Sequence, residues 1–165
     1  MFENEHYRWR ETYFVLFDDK KRPTLEKMRK ALTSLSDRYQ MANFTTDEQG
    51  LFESGTVLSP DDFAALDICY VGGDEVQEQV TQLAAEIELN MLEPDDKRKL
   101  RHIAHCTGRF DVLHFEQLSV QQNDDDDDDE EDGEMLDPSA MLIVLNVLAK
   151  LTEGIAVDPQ SGTMM

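Results

Sequence analysis

The stretch "HIAHC", His102 to Cys106, gathers the residue types best suited to binding a transition metal. On a helix His102 and Cys106 stand four apart on one face, with His105 beside them. Imidazole and thiolate suit zinc, but a zinc centre needs three protein ligands and usually four. Folding would have to bring in Cys69 and His114, and the chain has no CxxC or HExxH. The reading is a core cysteine beside two half-exposed histidines, with no metal or cofactor assigned.

Carboxylates offer a second chemistry. "QQNDDDDDDEEDGEMLDP", Gln121 to Pro138, carries Asp124, Asp125, Asp126, Asp127, Asp128, Asp129, Glu130, Glu131, Asp132 and Glu134 with no cation among them. Calcium prefers such oxygen ligands, so the EF-hand loop is the pattern to test. Placing Gly133 at the invariant glycine puts Asp128, Glu130 and Asp132 at the first three ligand positions. The twelfth position is then Ser139, where a bidentate Glu is required, and an apolar strand rather than a helix precedes the loop. The pattern fails on both counts. Adjacent like charges repel and bury no apolar surface, so residues 121–136 read as a disordered insertion. Long loops cost closure entropy only slowly, so the fold tolerates it.

Basic residues cluster in "DDKRKLR", where Lys97, Arg98, Lys99 and Arg101 share one short helix. A solvated face is the simple reading. A sharper one has this helix docking the acidic insertion through exposed ion pairs, each worth roughly 0–1 kcal/mol and weakened by salt. "HYRWRETY" interleaves Tyr7 and Trp9 with Arg8 and Arg10. That pattern can stack and neutralise single-stranded nucleic acid, but in so acidic a chain an ordinary strand or a protein contact is preferred. "YVGGDE" puts Gly72 and Gly73 between a strand and a helix, where an anion could meet helix amides. Asp74 and Glu75 follow at once and would repel a phosphate. There is no GxSxG, P-loop or GxGxxG.

Composition narrows the partner classes. The chain of 165 residues has a net charge of −21. Eleven of its 36 acidic residues lie between Asp124 and Asp137, so the remainder still carries 25 acids against 15 bases, a net −10. Such a surface repels phosphate backbones and anionic membranes, while a basic protein remains an acceptable partner. Cys69 and Cys106 match no disulfide framework. The start "MFENEHYRWRE" has no apolar signal region and no stretch is long enough to span a bilayer, which predicts a cytoplasmic protein.

The elements that must position these residues follow from periodicity. "ETYFVLFDD" is a nearly continuous apolar run, as in a strand buried on both faces. Thr24 caps a helix whose Leu25, Met28, Leu32 and Leu35 share one face. "YQMANFTT" and "GLFESGTVLSP" read as a hairpin across the turn "DEQG". An apolar strand, Ala64 to Val71, ends at two glycines. Asp74 caps the next helix, which presents Val76, Val80, Leu83, Ala84 and Ile87. Pro94 starts a short helix that Gly108 stops in a left-handed conformation. A strand over Phe110 to Leu118 precedes the insertion. Asp137 then caps an apolar helix beginning at Pro138 and ending at Gly154, and "IAVDPQSG" closes the chain as a short strand and turn.

The ending "LAKLTEGIAVDPQSG" resembles the helix-glycine-strand ending of several uncharacterised bacterial α/β families, in which the helix runs into "GG" or "DG" before a strand and "DPQSG". Glu153 stands where the first glycine of a pair would be. The resemblance spans about the last 20 residues. It implies a bacterial origin, and some relatives of those families look like toxin-immunity proteins.

Together these readings predict a single α+β domain over residues 1–165, a ferredoxin-like βαββαβ sandwich with an additional C-terminal helix and strand. The function expected is protein interaction without catalysis, through the acidic segment and Lys97 to Arg101. Two other readings are an immunity-type inhibitor covering a basic toxin, and an enzyme whose residues converge from separate strands.

Overall fold

The computed structural model describes residues 7–35, 39–59, 64–88, 94–117, 139–160 and 163–164. Its frame is one antiparallel sheet. Strand β1 is Tyr7–Phe17, β2 Gln40–Thr46, β3 Phe52–Ser59, β4 Ala64–Gly72, β5 Gly108–Gln117, β6 Ile155–Asp158 and β7 the two residues Thr163–Met164. Four helices accompany them: α1 Leu25–Thr33, α2 Asp74–Glu88, α3 Pro94–Ile103 and α4 Ser139–Thr152. The strands lie in the order β2-β3-β4-β5-β1-β6-β7. The class is therefore α+β.

Ferredoxin-like strand order is not what the sheet shows. After the β2–β3 hairpin the chain adds β4 directly alongside β3, with Val57 facing Leu66. After two helices β5 then inserts between β4 and β1, with Val112 facing Ile68 on one side and Tyr13 on the other. Helices cover both faces. α1 and α4 seal Val15, Phe17, Leu66, Ile68, Phe110 and Val112. On the opposite face α2 and α3 meet Leu16, Ile155 and Val157. Strand alternation explains the split, since Leu16 points away from Val15 and Phe17. The central strands are thus buried on both sides, which is why their sequences read as unbroken apolar runs.

Helix ends hold where side-chain chemistry defines them and differ where the backbone does. Thr24 accepts the Lys27 amide at 3.2 Å, as a cap should. Asp74 is instead the first residue of α2. Gly73 precedes it at φ +98° and accepts the Val76 amide at 3.1 Å, a conformation open to glycine alone at low cost. Gly108 is not a left-handed stop. The helix ends earlier, at Ile103, and Gly108 opens β5 beneath the rings of Phe17 and Tyr70, where a Cβ would lie 3.0 Å from the Phe17 ring.

The end of α4 also shifts by one residue. Glu153, at φ +53°, takes the left-handed position. The Gly154 amide reaches back to the Ala149 carbonyl at 2.8 Å and that of Glu153 to Lys150 at 3.4 Å, a Schellman closure. Gly154 serves close approach instead, because a Cβ there would stand 2.4 Å from the Leu16 carbonyl oxygen. Asp137 and Pro138, expected to start this helix, lie outside the described residues. Among the described residues no helix is long and apolar enough to cross a membrane.

Candidate functional site

The alternation of β5, "RFDVLHFEQ" after Gly108, divides its side chains between two environments. Phe110, Val112 and His114 face α1 and α4. Arg109 and Asp111 face the α2 side, two residues apart and therefore neighbours on one face. Arg109 donates to Asp111 twice, Nε to Oδ1 at 2.5 Å and Nη2 to Oδ2 at 3.2 Å. Its guanidinium carbon also lies 4.4 Å from the centroid of the Phe14 ring. A planar cation held by a fork and by a ring face has little freedom left.

A half-open cleft of about 180 Å³ separates this pair from α2. Phe14 and Leu16 form its floor, Val76, Val80 and Leu83 its wall, and Gln79, Gln82 and Arg109 its polar points. The Arg109 side chain is only 7% exposed. Its Nη1 and the Oε1 of Gln79 are both buried with no hydrogen-bond partner. Buried polar atoms are nearly always paired, so these two, on residues that border one cleft, stand out.

Next to it on the same face runs a polar stripe. Thr56 donates to Asp67 Oδ1 at 3.3 Å, and the Cys69 thiol points to Asp67 Oδ2 at 3.8 Å. Cys69 faces Asp111 across the β4–β5 ladder and Ser54 across β3–β4. Burial, then the Asp67 charge, pushes the Cys69 thiol up to about 11. It is a protonated hydrogen-bonding group at neutral pH and a poor nucleophile.

The other face carries the arrangement closest to an acid–base dyad. His114, fully buried, places Nδ1 3.3 Å from Glu11 Oε1, its cross-strand partner. Tyr13 hydrogen-bonds the same carboxylate, and burial with the charges of Glu11 and Asp158 pushes its hydroxyl up to about 12. Burial lowers the His114 pKa, and the Glu11 contact opposes it. The imidazole is thus oriented by a carboxylate, as a general base would be. Its Nε2, however, is buried and unpartnered. A substrate proton has no route to it in this conformation, so the dyad acts as packing and orientation.

The residues singled out by sequence are scattered. Asp124, Asp125, Asp126, Asp127, Asp128, Asp129, Glu130, Glu131, Asp132 and Glu134 lie outside the described residues. Lys97, Arg98, Lys99 and Arg101 do share α3, where Arg98 pairs with Asp95 at 3.3 Å in full solvent. Arg98 and Lys99 border a shallow groove with His102, Glu153 and Gly154. His102 donates from Nε2 to the Glu153 carbonyl at 2.9 Å, fixing α3 to the end of α4. The Cys106 thiol donates to the His102 carbonyl at 3.3 Å, and burial, then Asp18, pushes it up to about 12. Cys106 lies in the α2–α3 core, Cys69 on the polar stripe and His114 on the opposite face. Among the described residues no three His, Cys, Asp or Glu side chains converge as a metal site. Arg8 and Arg10 both reach Glu116, at 2.8 and 3.2 Å, and the Trp9 indole donates to Thr12 at 3.0 Å, so Tyr7 to Tyr13 is strand with both arginines paired.

Sequence reading passed over Arg109 and Gln79. The signal for Arg109 was present: two opposite charges spaced by two inside an otherwise apolar strand must share one buried face. Gln79 carried none, because its place over the cleft depends on how α2 crosses the sheet. No protein-family model, curated protein or solved structure matches this chain.

Proposed function

We propose that this domain binds a protein partner through the outer face of α4 and the acidic segment that precedes it. The observation that carries the reading is a pair of adjacent side chains in the first turns of α4, Leu142 at 46% and Ile143 at 43% exposed. Their neighbours Met141, Val144 and Leu145 are buried in the core, so the helix is fixed and presents the pair on a rigid support. Single exposed apolar residues are ordinary, but this pair follows closely in sequence on a dense run of carboxylates, a combination that would supply a centre and a rim. The partner that fits has an apolar depression bordered by Lys and Arg. A basic toxin held by an immunity-type inhibitor is one protein of that kind.

An enzymatic reading finds less support. The Glu11–His114 dyad is sealed, and both thiols are held protonated. The test is capture of partners from a bacterial extract by three forms of the chain: wild type, Leu142→Glu/Ile143→Glu, and one lacking residues 124–134. Both positions are exposed, so the fold should persist, as circular dichroism will check. The reading expects one partner held by wild type and lost from both altered forms. Recovery of the same partner by all three would exclude it.

A further inference from the structure

We infer that the outer face of α3 is a docking surface for this chain's own acidic segment, Asp124 to Glu134. The helix sets out the cations. Leu100 and Ile103 pack inward with Leu16, Val76 and Val80. Lys97, Arg98 and Arg101, three and four residues apart, therefore share the exposed side. Lys99 flanks them, partly exposed, and with Arg98 and His102 forms one wall of the groove beside Glu153. Glu153 is itself paired with Lys21 at 2.8 Å. Among the described residues Lys97, Lys99 and Arg101 make no ion pair, and Arg98 meets Asp95 of its own helix. Arg8, Arg10, Lys21, Arg22 and Arg109, by contrast, are all ion-paired.

Charge and reach both name the occupant. Ten carboxylates and no cation stand between Asp124 and Glu134. The chain leaves β5 at Gln117 and enters α4 at Ser139. β5 begins five residues after α3, and Gln117 lies roughly 30 Å further along at the rise of a strand. Ser139 lies roughly 20 Å from the end of α4 at the rise of a helix. That end adjoins Glu153, whose carbonyl meets His102 of α3. Asp128 is eleven residues from either anchor, a span of up to about 36 Å, so the run reaches α3 from both sides. Each exposed pair is weak alone, but the tether keeps the carboxylates at high effective concentration. α1 offers a smaller set, Lys27, Arg29 and Lys30. A basic partner has to displace α3 from these carboxylates, and in that consequence alone the inference rests on the protein-binding reading.

The experiment needs no partner. 1H–15N NMR compares the full chain with one lacking residues 124–134 as salt rises from about 0.01 M to about 1 M, which cuts the screening length from about 30 Å to about 3 Å. The inference expects the Lys97 to Arg101 amides to differ between the two chains at low salt and to converge at high salt. A separate peptide of residues 121–136, added to the shortened chain, should move them back toward their full-chain positions, saturably and only at low salt. Lys97→Gln/Lys99→Gln/Arg101→Gln in the shortened chain should abolish that response. Its spectrum shows whether it is folded, and the peptide titration stands without it. Identical α3 amides in both chains at low salt, no saturable response to the peptide, or a response centred on Lys27 to Lys30 would each overturn the inference. Failure to capture any partner leaves these outcomes unchanged.

Discussion

Arg109 and Asp111 form a two-pronged ion pair within a single strand, at 2.5 and 3.2 Å, on the face of β5 that α2 covers. Their side chains are 7% and 23% exposed. A pair so placed gains little over apolar packing, but half of it left alone is costly, because the remaining charge stays buried without compensation. Asp111→Ala should therefore destabilise the fold by about 3 kcal/mol. The double change Arg109→Met/Asp111→Leu should recover most of that loss. Urea unfolding of the two variants decides it. A double variant less stable than Asp111→Ala would mean that the pair itself holds the strand.

His114 should give the fold a defined sensitivity to acid. Burial lowers its pKa below the usual 6.5, against the pull of Glu11 and Glu116 and with the push of Arg10. The unfolded chain then takes up a proton that the folded one resists. Stability from this group is complete above about 6.5 and declines as the pH falls toward the folded value. The difference in urea midpoint between wild type and His114→Phe should accordingly change between pH 7.5 and pH 5, wild type losing more. Glu11→Gln should lower the His114 titration further when it is followed by NMR. A titration midpoint that rises in that variant would contradict the assigned balance.

How much of this was legible beforehand depends on what fixes each feature. Thr24, Pro94 and the apolar face of α1 announce themselves, because caps and periodicity are local. The strand order was not legible. The apolar runs of β1, β4 and β5 show that these strands are buried on both faces, but not which neighbours bury them. The insertion of β5 between β4 and β1 is a long-range pairing, Cys69 with Asp111 and Phe14 with Asp111, that leaves no local mark. The same holds for the cleft, whose wall comes from α2 and whose floor comes from β1 and β5. The "HIAHC" cluster misled in the opposite direction. Its spacing is that of a ligand pair, yet His102 and Cys106 spend their polar atoms on backbone carbonyls.

Both thiols should resist alkylation in the folded protein. Cys106 is pushed up to about 12 and Cys69 to about 11, from an ordinary 9.0, chiefly by burial. The thiolate fraction at neutral pH then falls on the order of a thousandfold and a hundredfold respectively. Iodoacetamide should modify Cys69 slowly and Cys106 more slowly, with both reacting at ordinary rates in denaturant. Mass spectrometry of timed reactions reads the order. Rapid modification of Cys106 under native conditions would show that the α2–α3 core opens far more readily than its packing implies.

The turn after α4 should be improvable at one residue and intolerant at the next. Glu153 holds φ +53°, a conformation that strains any residue with a Cβ. What its side chain gives in return is an ion pair with Lys21 at 2.8 Å between exposed groups, which water screens. Glu153→Gly relieves the backbone and loses only that contact, so Tm should rise by a few degrees. Lys21→Ala, which removes the pair and keeps the strain, should leave Tm nearly unchanged and so separates the two effects. Gly154→Ala meets the opposite fate. Its new Cβ would press on the Leu16 carbonyl, a backbone atom bound into the sheet, and on the Cβ of Phe17. Overpacking there should cost about 3 kcal/mol. Thermal melts of the three variants should therefore rank Glu153→Gly above wild type and Lys21→Ala, with Gly154→Ala far below. A Glu153→Gly variant that melts below wild type would show that the Lys21 contact outweighs the strain.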